Sequence, residues 1–151
     1  MTTFDLTPAV VAPTARRWYR LPVLGFLLEV APMSSANEPF WRAALKKATA
    51  RQAAGLGGDD LTPEVVASGR RRDAELMAEY IVVGWRDVRN AAGEAVAFSR
   101  EAVEELLMQL ATTTGAGHLF DGLRSFAMDP ANFTGSAVAS AQALAGNSPG
   151  A

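Results

Sequence analysis

Hydrophobic and polar positions along this chain follow two rhythms, and each predicts its own kind of element. In RRWYRLPVLGFLLEVA, residues 16–31, apolar side chains alternate at Leu24, Phe26, Leu28 and Val30. A period of two marks a half-buried strand. Pro22 and Gly25 punctuate the stretch, so it reads as a hairpin of two short strands, about 16–21 and 24–31. Pro22 belongs at a strand end or in the turn, because it cannot donate to a ladder.

From residue 33 the rhythm becomes helical. MSSANEPFWRAALKKATARQAA predicts a helix, with two possible starts. Ser35 and Glu38 have capping-box spacing, while Asn37 could cap with Pro39 in the first turn. Gly55, Gly57 and Gly58 stop it. Thr62-Pro63-Glu64 opens a second helix, predicted to reach about Val83 with Gly84 beyond its end. Its apolar stripe is Val66, Ala67, Leu76, Met77, Tyr80 and Ile81. WRDVRNAAGEAVAFS has no helical period, and a turn at Asn90–Gly93 suggests a small hairpin or irregular loop. Ser99 caps a helix whose face is Val103, Leu106, Leu107 and Leu110. Leu119, Phe120, Leu123, Phe126 and Ala127 give another short helix, and Asp129-Pro130 opens a last turn through Phe133.

These elements describe a mainly α domain over 16–133 with a β-hairpin at about 16–31. An extended arm precedes it at 1–15. An Ala/Ser/Gly-rich segment follows at 134–151, either a weak helix over 136–145 or a flexible tail. Trp85, Phe98 and Phe133 are expected to be largely buried and to hold the 84–99 loop against the C-terminal helices.

Composition narrows the chemistry. The chain of 151 residues is 49% hydrophobic and 20% charged, enough for one core. It has no cysteine and one histidine, His118, which excludes disulfides, thiolate metal sites and a two-histidine zinc motif. Net charge is −2, so a globally basic nucleic-acid binder is disfavoured. Residues 1–75 carry ten basic and eight acidic side chains, and residues 76–151 four and eight. No stretch has the length of a membrane span, and the N-terminus lacks the basic region of a signal peptide.

No catalytic set assembles. Gly55-Leu56-Gly57-Gly58 leads into Asp59-Asp60 rather than Lys-Ser or Lys-Thr, so it reads as a loop and not a phosphate cradle. Asp59-Asp60 lacks the spacing of a calcium loop. His118 has no nucleophile elbow to serve and reads as a surface or interface residue. Arg70-Arg71-Arg72 spreads around its helix and is diluted by Asp73 and Glu75. Arg42, Lys46, Lys47 and Arg51 read as one basic helix face opposite Phe40, Ala44, Leu45 and Ala48, suited to an acidic partner.

Three segments go further. They are FLLEVAPMSSANEPFWRAALKKATAR, AEYIVVGWRDVRNAAGEAVAFSREAVEELLMQL and LFDGLRSFAMDPANF, which together span most of residues 26–133. The order Gly84-Trp85, Gly93, Phe98-Ser99, Asn132-Phe133 is their most specific part. In these segments the chain resembles the tail assembly chaperones of long-tailed, siphophage-type bacteriophages. It departs from that pattern in ATTTGAGH, which lacks a proline, in the Arg70–Arg72 run and in the C-terminal segment.

The resemblance implies a helical, non-enzymatic assembly factor without cofactor. It would act in the host cytoplasm, bind the tape measure protein, help recruit tail tube protein and be absent from the mature virion. In such families a frameshift often yields a longer form with an added C-terminal domain, a further potential partner. Two other readings compete: a structural virion or tail-completion protein, and a DNA-associated adaptor using Arg70–Arg72 and the basic helix.

Overall fold

The computed structural model describes residues 1–55 and 61–147. Gly57, Gly58 and the Asp59-Asp60 pair lie outside the described residues, as do the last four positions. The chain forms strands β1 (Arg17–Arg20) and β2 (Leu27–Val30), then helices α1 (Glu38–Ala53) and α2 (Pro63–Tyr80). Strand β3 (Val82–Arg86) follows, then α3 (Arg100–Thr112), α4 (Gly117–Met128) and α5 (Gly135–Asn147). Short 3-10 turns occur at Thr7–Ala9 and Pro130–Asn132. The fold is mainly α with a small antiparallel sheet, as the residue pattern implied.

The hairpin forms with shorter strands than expected, and it is two-thirds of a sheet. β2 is central, paired with β1 on one side and β3 on the other. Tyr19, Leu28 and Trp85 form one row across the sheet. That face meets α4, where Tyr19 packs on Phe126 with ring centroids 5.0 Å apart. The other face carries Trp18, over which the Arg86 guanidinium lies 4.5 Å from the ring centroid.

β3 replaces the end of the predicted second helix. That helix stops at Tyr80, and Ile81, Val82 and Val83 turn from helix to strand. β-Branched side chains favour the extended form once a partner strand is available. Gly84 therefore does not terminate a helix; it lies within β3 opposite Glu29. The Ile81 N–H still donates to Met77 O at 3.0 Å, while Ile81 O accepts the Ala31 N–H at 2.8 Å. Asn37 completes the junction. It precedes α1 but its side chain makes no cap bond. Instead Nδ2 donates to Tyr80 O at 3.2 Å, and Asn37 is the one buried polar residue among the described residues.

Elsewhere local chemistry acts as read. Thr62 Oγ1 accepts from Val65 N–H at 3.2 Å and Ser99 Oγ from Ala102 N–H at 3.0 Å. Asp129 accepts from Ala131 N–H, starting the turn before Phe133. Of the two readings left open for the C-terminal segment, the helix is the one that forms. Residues 135–147 form a helix, with Thr134 Oγ1 accepting from Ala137 N–H. The arm is tied to its start by a bridge between Val11 and Thr134 and by Gly135 N–H donating to Val10 O.

The core is built by α2 packing along α3, with α4 and the sheet closing it. Phe120, Phe133, Leu28, Met77, Ile81 and Leu107 are fully buried. Two arginines lock α4 to α2. Arg70 donates to both carboxylate oxygens of Asp121, at 3.0 and 2.7 Å. Arg124 bridges Asp73 at 2.9 Å and Asp121 at 3.2 Å. The Arg70 hydrogen bonds, with lesser help from the nearby charges of Arg70, Arg124 and His118, hold the Asp121 carboxyl below the usual carboxylate range.

A carboxylate depressed in the folded state stabilises above its unfolded pKa of about 4 and loses that contribution as pH falls through the folded value. Asp121→Asn should therefore lower the melting temperature at neutral pH. The cost should be about 1 kcal/mol, since the pair is partly open to solvent. The difference from the parent should shrink as pH is lowered below about 4, measured by thermal denaturation across a pH series.

Candidate functional site

Of the residues singled out at 84–99, Trp85 lines an open apolar groove, beside Val88, Arg89, Asn90, Ala91 and Val96 of the same segment. Trp85 is half-buried, donates Nε1–H to Val96 O at 2.9 Å and meets Phe98 edge-on at 5.6 Å. The turn beneath is held by Asn90, whose Oδ1 accepts from the Ala92 and Glu94 N–H groups. Gly93 there has φ +81°, a left-handed conformation that an L side chain resists. The groove, about 590 Å³, runs between this loop, the β1–β2 hairpin tip and α3. Leu24, Phe26, Trp85, Val96, Leu106 and Leu119 are its main apolar lining.

The expectation that three aromatics are buried holds in full for one. Phe133 is completely buried against Phe126, and Asn132 secures it by donating Nδ2–H to Phe126 O at 3.0 Å. Trp85 is half-buried. Phe98 is 43% exposed, at the end of the loop that leads from β3 into α3. Ser99 is the α3 cap and has no further contact to the groove.

The hairpin tip is strained. Val23 has φ +69°, and Leu24 N–H donates to Pro22 O at 2.7 Å, a γ-turn. That turn is uncommon with this φ, and costly for a β-branched residue. The strain presents Val23 to solvent and sets Leu24 over the groove. No sequence signal pointed to this tip beyond Pro22 and Gly25.

The four basic residues of α1 do not share a face. Arg42 and Arg51 are nine residues apart, about half a turn out of phase at 3.6 residues per turn. Lys47 and Arg51 face α2, where with Phe40, Met33 and Leu76 they line a second groove of about 620 Å³. Lys47 pairs with Glu75 there at 2.9 Å. Arg42 and Lys46 stand on the far flank beside Glu38 and Tyr80, and Arg42 pairs with Glu38. The expected apolar side is divided too: Phe40 is buried, whereas Leu45 is 51% exposed, with Trp41, outside that expected side, 43% exposed one turn before it. Arg70, engaged by Asp121, is not presented to a nucleic-acid backbone. His118 is exposed near the start of α4. Trp18, Trp41 and Trp85 lie on three separate elements and form no cage.

Two expectations follow. Phe133→Ala should cost about 3–5 kcal/mol of folding stability, as for other buried aromatics, and Phe98→Ala about 1 kcal/mol, both read by urea denaturation. Val23→Gly should raise stability by about 0.5 kcal/mol, because relief of left-handed strain exceeds the entropy that glycine adds to the unfolded chain. A loss on that substitution would show the turn to be unstrained.

Among the described residues no helix is long and apolar enough to cross a membrane. No curated protein and no solved structure matches the chain. A protein-family model described as YdaY prophage protein matches residues 31–147, from the end of β2 to the end of α5. That span takes in α1, the helix–strand junction, the α3 and loop walls of the groove and the C-terminal helix, but not the hairpin tip with Leu24 and Phe26. The chain belongs to the YdaY prophage protein family and is phage-derived.

Proposed function

We propose that this prophage protein is a tail assembly chaperone, which binds the tape measure protein and assists polymerisation of the tail tube protein. It acts without cofactor or turnover, in the host cytoplasm, and leaves before the particle is complete. The observation that carries the reading is the apolar groove between the hairpin tip and α3. A long helical client offers apolar side chains at i, i+3, i+4 and i+7, and an open groove of apolar walls is the surface that receives them. Membership of a prophage family and the order of motifs from Gly84 to Phe133 support the same reading.

The client site proposed here is this groove and not the α1 basic residues, because Arg42 and Lys46 point away from Lys47 and Arg51. Co-expression tests the function. The tape measure protein encoded with this chain should stay in the soluble fraction and co-purify with it. Leu24→Glu, which places a charge in the groove, should abolish co-purification, whereas Arg42→Glu with Lys46→Glu should leave it intact. A tape measure protein equally soluble with and without the chain, and never co-purifying, removes the chaperone reading. Recovery of the chain from washed, infectious particles would make it a structural virion protein instead.

A further inference from the structure

The groove has an acidic bank on its α3 side, while its loop wall carries Arg89, whose guanidinium donates to Gly93 O. Around α3 three strips follow one another. Val103, Leu107 and Leu110 are buried in the core. Ala102, Leu106 and Gln109 line the groove. Glu101, Glu104 and Glu105 occupy the remaining side beside Met108, and Glu105 belongs to both the bank and the groove. Among the described residues these three glutamates form no ion pair, whereas Asp73, Glu75 and Glu79 on α2 each meet a cation. Carboxylates three and four residues apart on a helix repel one another. Only Glu101, in the first turn, is favoured by the helix dipole.

The same molecule exposes a helix of the opposite character. On α1, Trp41 and Leu45 form an exposed apolar stripe, and Arg42 and Lys46 stand one position further round. Lys46 forms no ion pair among the described residues, and Arg42 has only the solvent-exposed Glu38 one turn away. Pairs of that kind exchange at little cost.

We infer that α1 of one copy docks in the groove of another, with Trp41 and Leu45 against Leu24, Trp85 and Leu106 and with Lys46 and Arg42 facing Glu104 and Glu105. Charge complementarity selects this occupant: an apolar stripe with a basic edge fits an apolar channel with an acidic bank. The two surfaces are different patches of one chain, so the contact is head-to-tail and the assembly keeps a free groove at one end and a free α1 at the other. The inference does not depend on the chaperone reading, although a client helix in the groove would displace the neighbouring α1.

Sedimentation velocity across a wide concentration range tests it. The parent should self-associate, and Leu45→Glu and Leu24→Glu should each be monomeric, with unchanged far-UV circular dichroism. Mixed together, these two variants should form a one-to-one dimer and nothing larger, because each retains the surface that the other has lost. Lys46→Glu should weaken association about tenfold at low salt, with the difference shrinking at high salt, and adding Glu105→Lys should restore it. A parent that stays monomeric, a Leu45→Glu variant that associates like the parent, or a mixture that does not pair would overturn the inference. Pairing with no response to the charge exchange would also overturn the assigned register.

Discussion

Helix α2 runs into strand β3 without a loop, and the rest of the molecule is arranged around that junction. A helix end leaves carbonyls without intrahelical partners, and inside a core they must find others. Here Tyr80 O accepts from the Asn37 side chain and Ile81 O from the Ala31 backbone. Both donors come from the segment leaving β2, so one pair of hydrogen bonds ties the helical layer to the sheet and positions the start of α1. A buried carbonyl left without its donor would cost about 1–3 kcal/mol, which makes alternatives to this geometry expensive. The direction of β3, and with it the position of Trp85 at the groove, follows from the same two contacts.

A second constraint fixes the helices relative to each other. Arg70, Asp121, Arg124 and Asp73 form a continuous chain of charge between α2 and α4. The guanidinium of Arg70 lies close over Gly117, where even a methyl group would sit 2.8 Å from its Cζ. Arg124 also covers the Phe120 ring at 5.7 Å. The basic triplet of α2 is thus put to structural use at its first member. Arg72 only reaches back to Ser68. Charge that looks like a patch in sequence is divided by the helix into an internal tie and an external face.

Much of the fold was legible because it depends on local chemistry. The caps at Thr62 and Ser99, the Asn90–Gly93 turn and the alternation at Leu28 and Val30 act within a few residues of themselves. β3 was hidden for the opposite reason. Ile81 and Val82 continue the apolar spacing of α2, and a short apolar run does not distinguish helix from strand until its partner is known. Phe98 was expected inside because aromatics usually are, but its burial depends on where the chain turns toward α3. The groove was illegible as a unit: Leu24, Trp85 and Leu106 come from three distant segments, and only the sheet and α3 bring them together. The misplaced basic face was an error of phase, since Lys46, four residues on, stays beside Arg42, whereas spacings of five and nine carry Lys47 and Arg51 to the other side of the helix.

The size of the groove bears on how such a protein could act. It can cover two or so large apolar side chains, each worth about 1.5–3 kcal/mol when buried. Association itself costs about 4–15 kcal/mol in lost freedom, so a single engagement is weak and short-lived. A ligand that must later be handed on needs this weakness. Strength then comes from repetition: a long client carrying many apolar turns, or many copies lined along it, makes each further contact intramolecular and raises avidity by orders of magnitude without a new kind of bond. An exposed apolar groove is also a liability for a free protein. The adjacent carboxylates of α3 limit it, because any occupant must meet Glu105 at the rim. On the proposed reading, apolar surface provides the attraction and the acidic bank selects among the helices that approach it.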